Sequence, residues 1–145
     1  WEMFFGSFLH SLDEKGRLVI PRKMREEIGV KVYILKGYDG ALSIFKASAF
    51  EQLCKEINTL PFNKKDSRAF LRIQLANACE IDVDKAGRIQ IPSQLLTRYQ
   101  IGKDVIVLGV LDHIEVWDVK TYEQYEKDSE SNFEEIAEHL SDKEI

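Results

Sequence analysis

The chain has 145 residues, 44% hydrophobic and 31% charged, with a formal net charge of −5 at pH 7. That composition fits one ordinary globular domain or two small interlocked ones, and no apolar run approaches the roughly 20 residues that cross a bilayer. No secretory leader pattern is visible, and Cys54 and Cys79 fit a reducing cytoplasm better than a disulfide framework.

Met3 reads as an initiator, which sets Trp1 and Glu2 apart from the fold. Phe8 to Leu12 predicts a short strand. Asp13-Glu-Lys-Gly16 is turn chemistry, because Asp bonds its own downstream backbone and Gly supplies positive φ. Arg17 to Ile20 alternates and predicts the return strand. Pro21 then opens a helix over Arg22–Ile28 that Gly29 stops in the left-handed region. Val32–Tyr38 and Ala41–Phe45 flank Asp39-Gly40, a strong hairpin signal. Ala47–Ile57 follows as an amphipathic helix with Phe50, Leu53, Cys54 and Ile57 on one face.

Leu60-Pro-Phe-Asn63 breaks the pattern, and Ser67–Ala78 predicts a connecting helix with Phe70, Ile73, Ala76 and Asn77 inward. The order then repeats. A strand leads to a turn at Lys85-Ala-Gly87, a strand over Arg88–Ile91, Pro92, and a helix over Ser93–Tyr99 whose region ends at Gly102. A hairpin of Val105–Leu111 and Ile114–Trp117 turns at Asp112-His113, and a helix covers Val119–Lys127. The remaining tail is polar enough that only a weak acidic helix around Phe133, Ile136 and Leu140 is expected.

Asp-x-x-Gly-Arg occurs at Asp13–Arg17 and again at Asp84–Arg88, about 71 positions later, and each copy is followed by a proline and a helix. Such self-similarity marks a duplicated unit. Two copies suggest a pseudo-two-fold fold, like a homodimer joined into one chain. A unit of about 45 residues is near the limit for building a core alone, so the two are expected to share one. The organisation expected is repeat 1 with its helix over 3–60, a connector over 61–78, repeat 2 with its helix over 79–127, and an acidic tail over 128–145.

Charge separates the two copies. Residues 126–145 hold eight acidic and two basic residues, which leaves 17 acidic against 18 basic before them. Lys15, Arg17, Arg22, Lys23 and Arg25 crowd the first repeat, against Asp13 and Glu14. In the second, Ser93 and Gln94 stand where Arg22 and Lys23 stand in the first. One copy of the motif reads simply as a turn closed by an Asp–Arg ion pair. Two copies in the same frame ask for more. An arginine presented by a turn can fork onto guanine O6 and N7. Lys15, Arg22, Lys23 and Arg25 suit phosphates, which position a protein without reading sequence. Asp13 then orients Arg17 and Gly16 shapes the turn. Asp84, Gly87 and Arg88 lack the surrounding charge and are expected to be structural or to form an interface. Arg68 and Arg72 share one helix face, which is solvated or paired with acidic residues of repeat 2 at least as readily as it meets DNA. Phe45, Phe50, Trp117 and Tyr122 recur at matching places and are expected in the core. The three histidines are scattered and the cysteines lack metal-ligand spacing, so no metal or other cofactor is expected. No hydrolase or phosphate-loop motif is present, and no enzymatic activity is expected.

The paired Asp-x-x-x-Arg loops, the Gly-Arg-x-x-Ile-Pro runs, Met3-Phe-x-Gly6, the Arg68/Arg72 connector before Ala78, and Glu115-Val-Trp-Asp118 resemble the MraZ family of bacterial transcriptional regulators, whose units are AbrB-like. The resemblance covers about residues 3–125. It implies an α+β fold, a pseudo-two-fold duplicated swapped-hairpin β-barrel with short flanking helices, and chains associated as closed rings. It also implies binding of double-stranded DNA at short G-rich repeats upstream of the division and cell-wall gene cluster, through the Asp-x-x-x-Arg loops, in the cytoplasm and at the nucleoid. It implies no membrane or small-molecule partner. Alternatives are an antitoxin-like regulator, marked by a partner-binding tail, and a ring-forming scaffold without DNA specificity.

Overall fold

The computed structural model describes residues 3–142; Trp1, Glu2 and residues 143–145, the last of the acidic tail, lie outside the described residues. β1 (Ser7–Ser11) runs into the first Asp-x-x-Gly-Arg turn and out through β2 (Arg17–Val19). Pro21, with φ −52°, caps α1 (Arg22–Ile28), which buries Met24 and Ile28. β3 (Lys31–Lys36) and β4 (Leu42–Lys46) form the expected hairpin, with Asp39 at φ 61° and Gly40 at φ 96° in its turn. α2 (Ala47–Ile57) and α3 (Lys65–Ala76) follow. The second repeat gives β5 (Cys79–Asp82), β6 (Arg88–Gln90), α4 (Ser93–Arg98), β7 (Asp104–Gly109), β8 (His113–Asp118), α5 (Val119–Ser131) and α6 (Phe133–Asp142).

The strands interlock across the repeats. The larger sheet has the order β1-β7-β8-β4-β3-β5, and β2 pairs with β6 in a second, two-stranded sheet. Exchanging the repeats reads the larger sheet backwards, which is the mark of the pseudo-two-fold. Each repeat gives its first strand to the other: β1 lies antiparallel to β7, and β5 to β3. The return strand does not pair with the strand before it, contrary to expectation. The turn closes as expected, with the Asp13 N–H donating to the Arg17 carbonyl at 3.1 Å, but β2 leaves β1 and forms its ladder with β6. The larger sheet is not closed into a barrel; β1 and β5 are its two ends.

One apolar core serves both copies. Leu18, Ile20, Val32, Ile34, Leu42 and Ile44 from the first pack with Ile89, Ile91, Leu95, Val105, Val107, Ile114 and Val116 from the second. On the other face of the sheet Leu35 and Phe45 are covered by Ala49, Phe50 and Leu53 of α2. Trp117, also buried, meets Tyr122 and Tyr125 of α5. Gly109 sits where a side chain would strike backbone, since an added Cβ would lie 2.3 Å from the Phe5 nitrogen.

Several boundaries differ from expectation. Gly29 takes φ 81° but ψ −156°, so the helix stops in an extended, positive-φ conformation. Gln100, at φ 55°, turns the chain after α4, while Gly102 donates its N–H to Asp118. In α3, Phe70 and Leu71 are half-buried, but Ile73 and Ala76 are exposed, because the helix lies on the sheet along its Gln74 side, where Gln74 Nε2 donates to the Lys36 carbonyl. α5 extends to Ser131, four residues beyond the expected end, and the helix expected around Phe133, Ile136 and Leu140 is α6.

Candidate nucleic-acid interface

The two Asp-x-x-Gly-Arg loops have the same internal geometry. Asp13 Oδ1 accepts from the backbone N–H groups of Lys15 and Arg17, each at 2.9 Å, and Asp13 Oδ2 accepts from Arg17 Nε at 2.5 Å. Asp84 repeats this on Ala86, Arg88 and the Arg88 Nε, at 2.9, 2.9 and 2.8 Å. Gly16 and Gly87 take φ 75° and 78°, which lets the chain turn tightly enough for the carboxylate to reach those donors. The bond to Nε matters chemically. It occupies one edge of the guanidinium and leaves the two terminal NH2 groups without a hydrogen bond among the described residues.

The β2–β6 ladder brings the two loops to one surface. Arg17 is opposite Gln90, and Val19 is opposite Arg88. Leu18 and Ile89 between them are wholly buried, so Arg17, Val19, Arg88 and Gln90 share the outer face. Arg17 and Arg88 are diagonal neighbours, with Cα atoms about 7–8 Å apart. Summing charge repeat by repeat separates these arginines; strand pairing joins them. Gln90 was not among the expected site residues. Its side chain donates to the Lys15 carbonyl at 3.1 Å and steadies the first loop. The signal for it is the period-two spacing from Arg88.

The swap also redistributes the helix charges. The Arg25 side chain lies across Gly87, where an added Cβ would meet its Nε at 2.5 Å, and that Nε donates to the Ile20 carbonyl at 3.1 Å. Burial first, then the positive charge of Arg25, lowers the pKa of His10 on β1. Arg25 therefore supports the second loop, not the first. In the mirrored place, the side chain of Leu96 on α4 packs on Gly16. Lys15, Arg22 and Lys23 are exposed. Glu27, on the same helix, is ion-paired with Lys46 at the end of β4. Arg68 and Arg72 turn back on the connector: Arg68 Nη1 donates to the Phe62 carbonyl at 3.3 Å, and Arg72 lies 5.8 Å from the centre of the Phe62 ring. Among the described residues no cluster of side chains is suited to hold a metal ion, and no helix is long and apolar enough to cross a membrane.

The loop bonds set a pH window. The Arg17 backbone N–H, more than any other cause, holds the Asp13 carboxyl below its usual value of 3.8, and the guanidinium and the Lys15 N–H add to it. Asp84 is lowered in the same way, first by the Arg88 N–H. A folded-state pKa below the unfolded value contributes stability at higher pH that is lost as pH falls through the folded value. The braces are therefore expected to survive to below pH 3.8. A carboxyl-detected NMR titration should give Asp13 and Asp84 midpoints below that value; midpoints at or above it would mean that the loops do not hold their carboxylates in solution.

A family model described as "MraZ protein, putative antitoxin-like" matches residues 3–73 and 74–144, dividing the chain within α3. The chain is 46% identical over 138 residues to "Transcriptional regulator MraZ" of Caldanaerobacter subterraneus subsp. tengcongensis, covering 95% of this chain and 96% of that protein. It is 44% identical over 140 residues to the protein of the same name from a Thermoanaerobacter species, covering 97% and 98%. It is 40% identical over 140 residues to that of Lactiplantibacillus plantarum, covering 97% and 99%.

Proposed function

This chain belongs to the MraZ family, and on that premise we propose that it is a DNA-binding transcriptional regulator, not an enzyme. It binds short G-rich repeats upstream of the division and cell-wall gene cluster, as a homo-oligomeric ring, in the cytoplasm and at the nucleoid. The strands exchanged between the repeats support a kinship with AbrB-like swapped-hairpin units, carried here on an open six-stranded sheet and a two-stranded one. The observation that carries the proposal is the exposed β2–β6 face with two aspartate-braced arginines on it.

The B-DNA major groove admits a two-stranded β-ribbon. Arg17 and Arg88 each present the free end of a guanidinium, the group that pairs bidentately with guanine. Their diagonal spacing of about 7–8 Å matches about two base-pair steps at roughly 3.4 Å each. That is the geometry for two nearby guanines. Bracing by Asp13 and Asp84 fixes both side chains before binding and so reduces the ordering cost. Lys15, Arg22 and Lys23 take phosphates, and Arg25 holds the second loop in place. The net negative charge is no obstacle, since eight of the 25 acidic residues lie in the last 20 positions.

The test is a binding titration of wild type on G-rich repeat and random duplexes at two salt concentrations. Both affinities should fall with salt, by a log–log slope of about −0.9 per phosphate contact. The preference for the repeats should persist, because base contacts release few counterions. Equal affinity for the two duplexes would favour the scaffold without DNA specificity.

A further inference from the structure

The outer face of the β2–β6 ribbon carries two side chains besides its arginines. Arg17 stands opposite Gln90 and Val19 opposite Arg88, with Leu18 and Ile89 turned into the core between them. The pseudo-two-fold exchanges Arg17 with Arg88, and Val19 with Gln90. The arginine pair obeys that symmetry, in residue type and in its aspartate brace. The other pair breaks it. Gln90 puts an amide beside Arg17, with its Nε2 donating to the Lys15 carbonyl. Val19 puts two methyl groups beside Arg88 and is 37% exposed. A single exposed valine on an ordinary surface needs no explanation. This one belongs to the row of side chains proposed to face base edges. Directly opposite residues of an antiparallel pair have Cβ atoms about 4.5–5.5 Å apart, and valine is stiff about χ1. Val19 is therefore held close beside Arg88.

We propose that Val19 is a specificity-determining residue that reads the 5-methyl group of a thymine on the base step adjoining the guanine held by Arg88. This deepens the DNA-binding reading and rests on it. Base pairs follow one another at about 3.4 Å along a strand, so side chains that are cross-strand neighbours on the ribbon meet adjoining steps. The groups displayed in the major groove are donors, acceptors and the thymine methyl. Valine has no polar atom, so against an amino or carbonyl group it displaces water and returns no hydrogen bond. Against the methyl, two apolar surfaces leave water together. Selection thus works by attraction to one base and by a cost at the others. Gln90, the symmetry mate of Val19, offers an amide and gives no such preference for a methyl. The two halves of the face ask for different neighbours, so a pseudo-symmetric fold acquires a direction on DNA.

The test uses the full chain on G-rich repeat duplexes, read by fluorescence anisotropy. Single 7-deazaguanine substitutions identify the guanine of each arginine. A position that costs wild type affinity but costs Arg88→Ala none belongs to Arg88, and the Arg17 guanine is found in the same way. The base pairs beside each guanine are then set to T·A in either orientation, and each thymine is replaced by deoxyuridine. That removes the methyl and keeps pairing, hydrogen-bonding groups and phosphates. Beside the Arg88 guanine, one thymine should bind wild type about fourfold more tightly than its deoxyuridine, the worth of one methyl taken from water. At that position 5-methylcytosine should be preferred to cytosine in the same sense. Beside the Arg17 guanine the methyl should have no effect. Val19→Ser, whose folding circular dichroism checks, should bind thymine and deoxyuridine duplexes alike. A methyl preference kept by Val19→Ser, none in wild type beside the Arg88 guanine, or no guanine that answers to Arg88 would overturn the role of Val19. In each case a wild-type preference for the repeats over random duplexes would leave the functional reading standing. Equal wild-type affinity for repeat and random duplexes would overturn both.

Discussion

Residues 3–73 prepared alone should be unfolded as a monomer, and so should residues 74–145. Cutting there removes every strand partner that crosses the repeats. The first fragment loses β7 from β1, β6 from β2, β5 from β3 and β8 from β4, and keeps one hairpin. The second keeps only the β7–β8 hairpin. A lone two-stranded hairpin is at best marginal in water. Each fragment also uncovers its side of the common core, where residues such as Leu18, Ile34, Ile89 and Ile114 are wholly or almost wholly buried. Each aliphatic side chain returned to water costs about 1.5–3 kcal/mol. A handful of these exceeds the roughly 5–15 kcal/mol by which a domain is stable. Mixing the fragments should restore the fold by strand exchange. Far-UV circular dichroism with thermal melting of each fragment, and of the mixture, checks this. A cooperative melt of monomeric 3–73 that does not depend on concentration would refute the interlocked core.

Arg17→Ala and Arg88→Ala should each remove most sequence discrimination while leaving the fold intact. Both side chains are partly exposed and, among the described residues, are hydrogen-bonded only to the aspartates of their own loops. Loss of one bidentate guanine contact costs about 1–3 kcal/mol, roughly a factor of five to 150 in affinity for the specific site. Binding to random DNA should change far less. Lys23→Ala should do the opposite, weakening specific and random binding alike and flattening the salt dependence by about one unit. If the ring displays several such faces, these losses multiply on repeated sites and the effect grows with the number of repeats. Fluorescence anisotropy on one-repeat, two-repeat and scrambled duplexes separates the cases. A normal preference in Arg88→Ala with a lost one in Arg17→Ala would return the reading role to the first loop alone.

Much of this fold is legible from local chemistry. The Asp39-Gly40 hairpin, the helix opened by Pro21 and the helix over Ala47–Ile57 are each specified by a few neighbouring residues. The Asp13–Arg17 brace is legible too, since its partners lie four positions apart. Strand exchange is a long-range outcome, and no local pattern says whether β2 returns to β1 or joins β6. That single choice moves Arg88 to the face of Arg17 and Arg25 to the loop of the other repeat. Charge summed along the chain groups Arg25 with Arg17; charge in space groups it with Gly87. The inward side of α3 is unclear in the sequence for a different reason. Apolar residues lie on more than one of its sides, with Phe70 and Leu71 half-buried and Ile73 exposed.

The central claim is that two braced arginines on one ribbon read guanine, and its most direct measurement replaces guanine by 7-deazaguanine in the repeats. That change deletes the N7 acceptor and leaves Watson–Crick pairing and phosphates in place. Wild type should lose discrimination on the substituted duplex by about the amount that Arg17→Ala with Arg88→Ala loses on the natural one, about 1–3 kcal/mol per contact. The double variant should bind both duplexes equally. Wild type that binds the 7-deazaguanine repeats as tightly as the natural repeats would contradict the account.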